Sequence, residues 1–286
     1  MPAELIRIFL LVLISLIYAL YDIFNKRNVP DLFVYASLAV GLLSTIAYWS
    51  YLSLYSIGIA VVIGAIGYVF YKGGQLGAGD GFELVTISLL LPIQPTPFLT
   101  SIAQFGMPFI LSVLVATGFA AIVIVPIYYL LIDGKNRRKI GKVDAKSMVK
   151  GIIILAIYLI LLAMIYLVRY QISLIAIVLI LALAVSSMFM ALYANEINYR
   201  MISFVYPKEL ERGDMIAVSI MKKSDLAYFT RAYEKFGRVA DDQLIAKVKD
   251  LNRKLPVYKK AVPFAAFIFI GVVVSLLFGD IFLFIF

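Results

Sequence analysis

The chain reads as apolar runs separated by short polar punctuation. The runs cover residues 4–21, 31–50, 54–71, 81–92, 107–132, 151–168, 172–194 and 261–286. Most come close to the ~20 apolar residues a helix needs to cross a hydrocarbon core. The fourth is short and is broken by Pro92, Pro95 and Pro97. The first opens with only Arg7 against Glu4 and passes into Asp22 without a small-residue cleavage site, so it reads as a retained span rather than a signal peptide. Tyr48, Trp49 and Tyr51 suit a membrane interface. Gly58, Gly64 and Gly67 have spacings that allow close helix approach. The pattern predicts an all-α polytopic membrane protein of about eight transmembrane helices.

Two polar stretches interrupt it. Residues 133–150 carry Lys135, Arg137, Arg138, Lys139, Lys142, Lys146 and Lys150 against Asp133 and Asp144. Residues 195–260 are polar enough for a small extramembrane domain. Within it Met201–Tyr206 and Met215–Ile220 are strand candidates, while 224–236 and 240–255 look helical. The expected organisation is a membrane core over 1–132, a basic cytoplasmic loop over 133–150 and two helices over 151–194. A small α+β cytoplasmic domain over 195–260 and a final helix over 261–286 complete it.

Composition narrows the chemistry. Hydrophobic residues make up 63% of the 286, which places the chain among membrane proteins. There is no Cys and no His, which excludes thiol nucleophiles, Ser-His-Asp triads and His-ligated zinc. A hydrolase here uses carboxylates or a Ser-Lys pair, for which Ser147 and Lys150 are a weak candidate. No metal site and no cofactor fingerprint is evident. The net charge of +9 points to cytoplasmic loops, not to nucleic acid. With eight spans, the basic residues fall in the odd-numbered loops, and the even-numbered loops hold only Arg169. The positive-inside rule then puts Asp22, opening the first loop, and Asp80, closing the third, at the cytoplasmic face.

Asp80 stands in Gly77-Ala78-Gly79-Asp80, and an ionisable group at the mouth of a membrane is expensive and usually functional. Two carboxylates in mutual reach do not both ionise easily, so one proton is shared between them. That is what peptide hydrolysis by two acids needs. Gly77 and Gly79 are expected to permit a positive-φ turn and close substrate approach. The structural alternatives are an N-cap role for Asp80 and a solvated or Lys26-paired acid at Asp22. Glu83, three residues beyond Asp80, is a possible third acid but reads more readily as a polar or structural partner. Glu196, expected to be solvated, and Asp280, near the external end of the last span, are weaker candidates. The basic loop reads as solvated, with contact to anionic lipid head groups as its functional alternative.

At Asp22–Asp31 and Gly77–Asp80 the sequence resembles the type IV prepilin peptidases, especially the archaeal prepilin and preflagellin (archaellin) peptidases. Asp22, Lys26-Arg27 and Val29-Pro30-Asp31 are similar to the family's first motif, and Gly77, Gly79 and Asp80 to its second. The polar domain before Val262-Pro263-Phe264 is also similar to archaeal members. The chain departs at Phe82 and Glu83, where a basic residue often follows the family's GxGD acid. The resemblance implies a multi-pass cell-membrane aspartyl endopeptidase with Asp22 and Asp80 catalytic. It implies Gly77 and Gly79 in the active-site loop, with Lys26, Arg27, Pro30 and Glu83 as substrate or structural support. Its partners would be prepilin- or archaellin-type precursors, cut at the cytoplasmic face after a basic leader. The cysteine motifs of relatives that also methylate are missing, so peptidase activity alone is expected. The alternatives are a presenilin-like GxGD intramembrane protease, suggested by Tyr21-Asp22, and a cation- or proton-coupled transporter using the two Asp residues.

Overall fold

The computed structural model describes residues 2–25, 28–99, 107–129, 144–168, 174–221, 239–240, 242–248, 254–259 and 262–279. Its helices are α1 (Pro2–Phe24), α2 (Asp31–Ala47), α3 (Tyr51–Lys72), α4 (Ala78–Leu90) and α5 (Phe109–Ile127). They continue with α6 (Ala145–Val168), α7 (Leu174–Leu192), α8 (Ala194–Met201), α9 (Asp242–Val248) and α10 (Phe264–Phe278). Two short strands, β1 (Ser203–Val205) and β2 (Leu255–Val257), pair antiparallel.

Among the described residues four helices are long and apolar enough to cross a membrane: α1, α3, α5 and α6. They become five if α7 and α8, bent by 71° at Tyr193, form one span. Among the described residues this is fewer than the eight runs expected; the second and fourth runs form helices of 17 and 13 residues, and the fifth, seventh and last runs extend beyond the described residues. With 17 and 15 residues, α2 and α10 are shorter apolar helices. At 13 residues α4 reaches about 20 Å, less than the ~30 Å of a hydrocarbon core.

Short as it is, α4 lies at the centre. It packs against α1, α2, α3, α5 and α10, and Glu83, Leu84 and the whole stretch Thr86–Leu90 are buried. Small residues let the neighbours in. A Cβ on Gly67 would lie 3.5 Å from the Gly81 Cα, and one on Gly64 would touch Val85. Gly58 has nothing within 4 Å, so the close approach involves two of the three expected glycines. On α2, a Cβ at Gly41 would come within 3.1 Å of the Leu89 Cβ. The last helix is held as tightly: a Cβ on Gly271 would collide with Thr117 and with the Val113 carbonyl of α5.

The C-terminal end of α4 stops inside this packing, where water cannot satisfy its last carbonyls. Neighbouring side chains do so instead. The Leu89 carbonyl accepts from Ser56 Oγ at 3.0 Å, from Arg7 Nη2 at 3.4 Å and from Thr45 Oγ1 at 3.0 Å, whose one proton is shared with the Gly41 carbonyl at 2.9 Å. Ser56 also reaches the Ser88 carbonyl at 2.8 Å. Beyond Leu90 the chain runs irregularly, and Pro92, Pro95 and Pro97 bring no N–H that would need a partner. This segment closes the end of α10: Phe98 and Leu99 donate their N–H groups to Leu276 and Leu277, and Gln94 Nε2 donates to Ser275. Irregular backbone at membrane depth is tolerated where protein buries it in this way.

Outside the core, α6 packs on α7, and α7 on α5. Asp144 Oδ1 accepts the Ser147 N–H at 2.7 Å and so caps α6. The Ser147 hydroxyl, and then that N–H, hold the Asp144 carboxyl below the ordinary carboxylate range. Ser147 is thus engaged in a cap; the rest of the basic loop, residues 133–143, lies outside the described residues. Glu196, expected to be solvated, pairs with Arg200 at 2.8 Å, one helical turn away. Arg200 also donates to the Tyr129 carbonyl at 3.1 Å, which ties α8 to the end of α5.

In the small domain β1 falls within the first strand candidate. The second candidate makes isolated bridges at Met215 and Ile216 and then a 3₁₀ turn over Val218–Ile220. The partner strand is Leu255–Val257, where the helix expected over 240–255 ends; α9 covers Asp242–Val248 of that stretch. Val205, Leu210, Ile216, Ala240, Leu244, Val248, Leu255 and Val257 form a core separate from that of the helices. The helix expected over 224–236 lies outside the described residues.

Candidate active site

Asp22 belongs to the last turn of α1 and is 7% exposed. Its Oδ2 accepts the backbone N–H of Ala265 at 2.9 Å. Ala265 is in the first turn of α10, after Pro263, where helix N–H groups lack intrahelical partners. The carboxylate of one helix end therefore caps another helix 243 residues away. Asp22 is therefore not a solvated acid; Lys26, Arg27 and Asp280 lie outside the described residues.

Asp80 is the third residue of α4, not its N-cap; Gly77 holds that position. Asp80 Oδ2 accepts the Gly77 N–H at 3.1 Å, one arm of a capping box. The reason for glycine also differs from expectation. Gly77 has φ −67°, and the left-handed residue of this turn is Gly74 at φ 65°. What position 77 requires is space, because a Cβ there would lie 2.8 Å from Asp80 Oδ2. A Cβ on Gly79 would touch the Val29 side chain at 3.4 Å. The segment between α1 and α2 thus lies on the first turn of α4, and Pro30 opens α2 by accepting the Phe33 and Val34 N–H groups.

These contacts bring the end of α1 and the starts of α2, α4 and α10 to one end of the bundle. Asp22 and Asp80 lie within electrostatic reach of each other there. Each has one oxygen fixed by a backbone N–H at a helix start, where the helix dipole favours negative charge. Glu83 is the third acid of this end. It is fully buried, in reach of both aspartates, and neither of its oxygens has a hydrogen-bond partner. Next to it, Tyr18 of α1 is fully buried and bonded to Ser37 at 2.9 Å. The Ser37 hydroxyl donates to the Val34 carbonyl, so Tyr18 is the donor of that pair.

Among the described residues no group of three acidic side chains converges closely enough to hold a metal ion. Sequence reasoning missed the Ala265 N–H, although Pro263 before an apolar run marks a helix start whose free donors need acceptors. It also missed Ser15, a fully buried hydroxyl of α1 facing Glu83. Comparison with family models, curated proteins and solved structures finds no match to this chain.

Proposed function

We propose that the chain is a membrane aspartyl endopeptidase that removes basic leader peptides from prepilin- or archaellin-like precursors. The observation that carries this reading is the meeting of Asp22 and Asp80. They come from different helices to one end of the bundle, and each is held by a backbone N–H. Held in this way, two carboxyls can divide the work of peptide hydrolysis. One keeps the shared proton and hydrogen-bonds to the scissile carbonyl. The other takes a proton from the attacking water. When the C–N bond of the tetrahedral intermediate breaks, the pair returns a proton to the leaving amine and ends as it began. Gly77 contributes by leaving the Asp80 carboxylate room.

We assign the acid end to the cytoplasmic face on the basic residues Lys26, Arg27 and Lys72 in the adjoining loops, where a basic leader would also remain. A cysteine at residue 28 and one at 75 should both label from the cytoplasm in this cysteine-free chain. Labelling from opposite sides would separate the acids and end the proposal. The direct test is purified protein in liposomes with a panel of precursors carrying class III signal peptides. The expected result is a single cut before the precursor's hydrophobic helix. A folded protein that cuts none of the panel would overturn the reading and leave proton-coupled transport, which the buried Glu83 would suit, as its successor.

A further inference from the structure

The peptidase chemistry uses two acids, and a third is built into the same end. Glu83 lies three residues past Asp80 on α4, about 4.5 Å further along the axis. It is 0% exposed, and both of its oxygens lack a partner. The Ser15 hydroxyl, equally buried, faces it as a donor in reach, outside ordinary hydrogen-bond geometry. The charges acting on Glu83 are those of Asp80 and Asp22, both of its own sign. Of the elements packed on α4, neither α5 nor α10 has a titratable side chain. Asp31 and Tyr35 of α2 are exposed, as is Lys72 of α3, which lies over the Tyr68 ring. Arg7 of α1 is at the far end of α4, on the Leu89 carbonyl. From α1 the remaining facing groups are Asp22 and Tyr18.

Among the described residues an anion in such a site would have one hydroxyl for a donor and no countercharge, and burying a charge on those terms is costly. We propose that Glu83 holds a proton of its own. It acts as a positioning residue that must remain neutral for Asp22 and Asp80 to share one proton between them. The role in catalysis rests on the peptidase reading; the proton on Glu83 does not. Loss of that proton would put a second negative charge one helical turn from Asp80 in an enclosed site. The two aspartates and Glu83 would then titrate as one coupled group. The alkaline fall in rate would include the ionisation of Glu83, alongside loss of the proton shared by the aspartates.

The first measurement needs no turnover. In the wild type at neutral pH, infrared spectra should show the carbonyl stretch of a buried protonated carboxyl that belongs to glutamate and not to aspartate. The band should shift on labelling with isotopic glutamate, and absence of a glutamate band would overturn the proposal without any variant at position 83. The second measurement compares pH profiles of leader cleavage, each scaled to its own maximum. Glu83→Gln cannot ionise, so its alkaline limb should extend to higher pH than that of wild type, whereas Glu83→Asp should retain a limb of wild-type form. Superimposable profiles for wild type and Glu83→Gln would overturn the link to the pair. If the wild type cuts no precursor, the peptidase reading fails, and the infrared band still decides whether Glu83 carries its proton.

Discussion

At its C-terminal end α4 presents carbonyls, and α1, α2 and α3 each send a donor to Leu89. At its N-terminal end Asp22 and Asp80 each hold a backbone N–H, while Glu83 and Ser15 are buried with polar atoms left without partners. Both ends belong to one 13-residue helix and face the same neighbours. Buried polar groups are normally satisfied, and the exceptions call for an explanation. At the C-terminal end the Leu89 carbonyl follows the rule, while beyond it Gln94 Oε1 and, on α10, Ser275 Oγ do not. The N-terminal end departs from it at Glu83 and Ser15, beside the two aspartates. On the proposed function, the contrast separates the half of α4 that holds the bundle together from the half that would carry chemistry.

The largest effect should come from the acids themselves. Asp22→Asn and Asp80→Asn should each abolish leader cleavage while leaving the yield and thermal unfolding of the protein close to wild type. Asn keeps a side-chain oxygen that can accept the Ala265 or Gly77 N–H, so the caps survive. An amide cannot act as the base or pass the proton on. The double variant should be no worse than either single one, because groups that work as a unit are not additive. In the wild type, cleavage should pass through a maximum with pH whose two limbs belong to the coupled group, not to one acid. Substantial turnover by either Asn variant, assayed on a precursor in liposomes, would return both acids to the capping role alone.

Next in size is Gly77→Ala. The added Cβ would fall 2.8 Å from Asp80 Oδ2, so the carboxylate or the turn must move. Displacing a catalytic group by about 1 Å can cost about 100-fold in rate, and cleavage should fall by that order. Alanine adopts φ −67° without strain, so stability should change little. A loss of folded protein with unchanged specific activity would show that the glycine serves the fold and not the position of Asp80.

Much of this end was legible in the sequence, and the reason is electrostatic. Asp22 and Asp80 stand out because carboxylates are rare beside apolar runs, and Gly64 and Gly67 because small residues recur at helical spacing. Glycine at 77 was legible too, but its cause was not: the turn seemed to need a positive φ, and the need is space beside a carboxylate. The donor to Asp22 left little trace, because a backbone N–H has no residue type and lies 243 positions away. The fourth run extends two residues past the end of α4, because apolar residues such as Leu91 serve a buried irregular segment. Hydropathy registers burial and cannot tell that segment from a span. Thr45 and Ser56 resembled any hydroxyls in an apolar run until the end of α4 gave them a carbonyl.

Those two residues supply the mildest test, at the opposite end from the acids. Thr45→Val keeps the side-chain volume and removes the hydroxyl, and Ser56→Ala does so with the loss of one small atom. Both positions are 0% exposed, so water does not replace what is removed. Losing one buried hydrogen bond costs about 1 kcal/mol, and each variant should fall at or below that figure because Leu89 keeps other donors. Together they leave the carbonyl with Arg7 alone, at 3.4 Å. The double variant should therefore lose more stability than the sum of the singles, as expected for residues that share a partner. Thermal unfolding in detergent measures this directly. The pH profile of cleavage should not move in any of the three, because no titratable group at the acid end has changed. A shifted profile would mean that the two ends of α4 are coupled, and that the division between joint and reactive end does not hold.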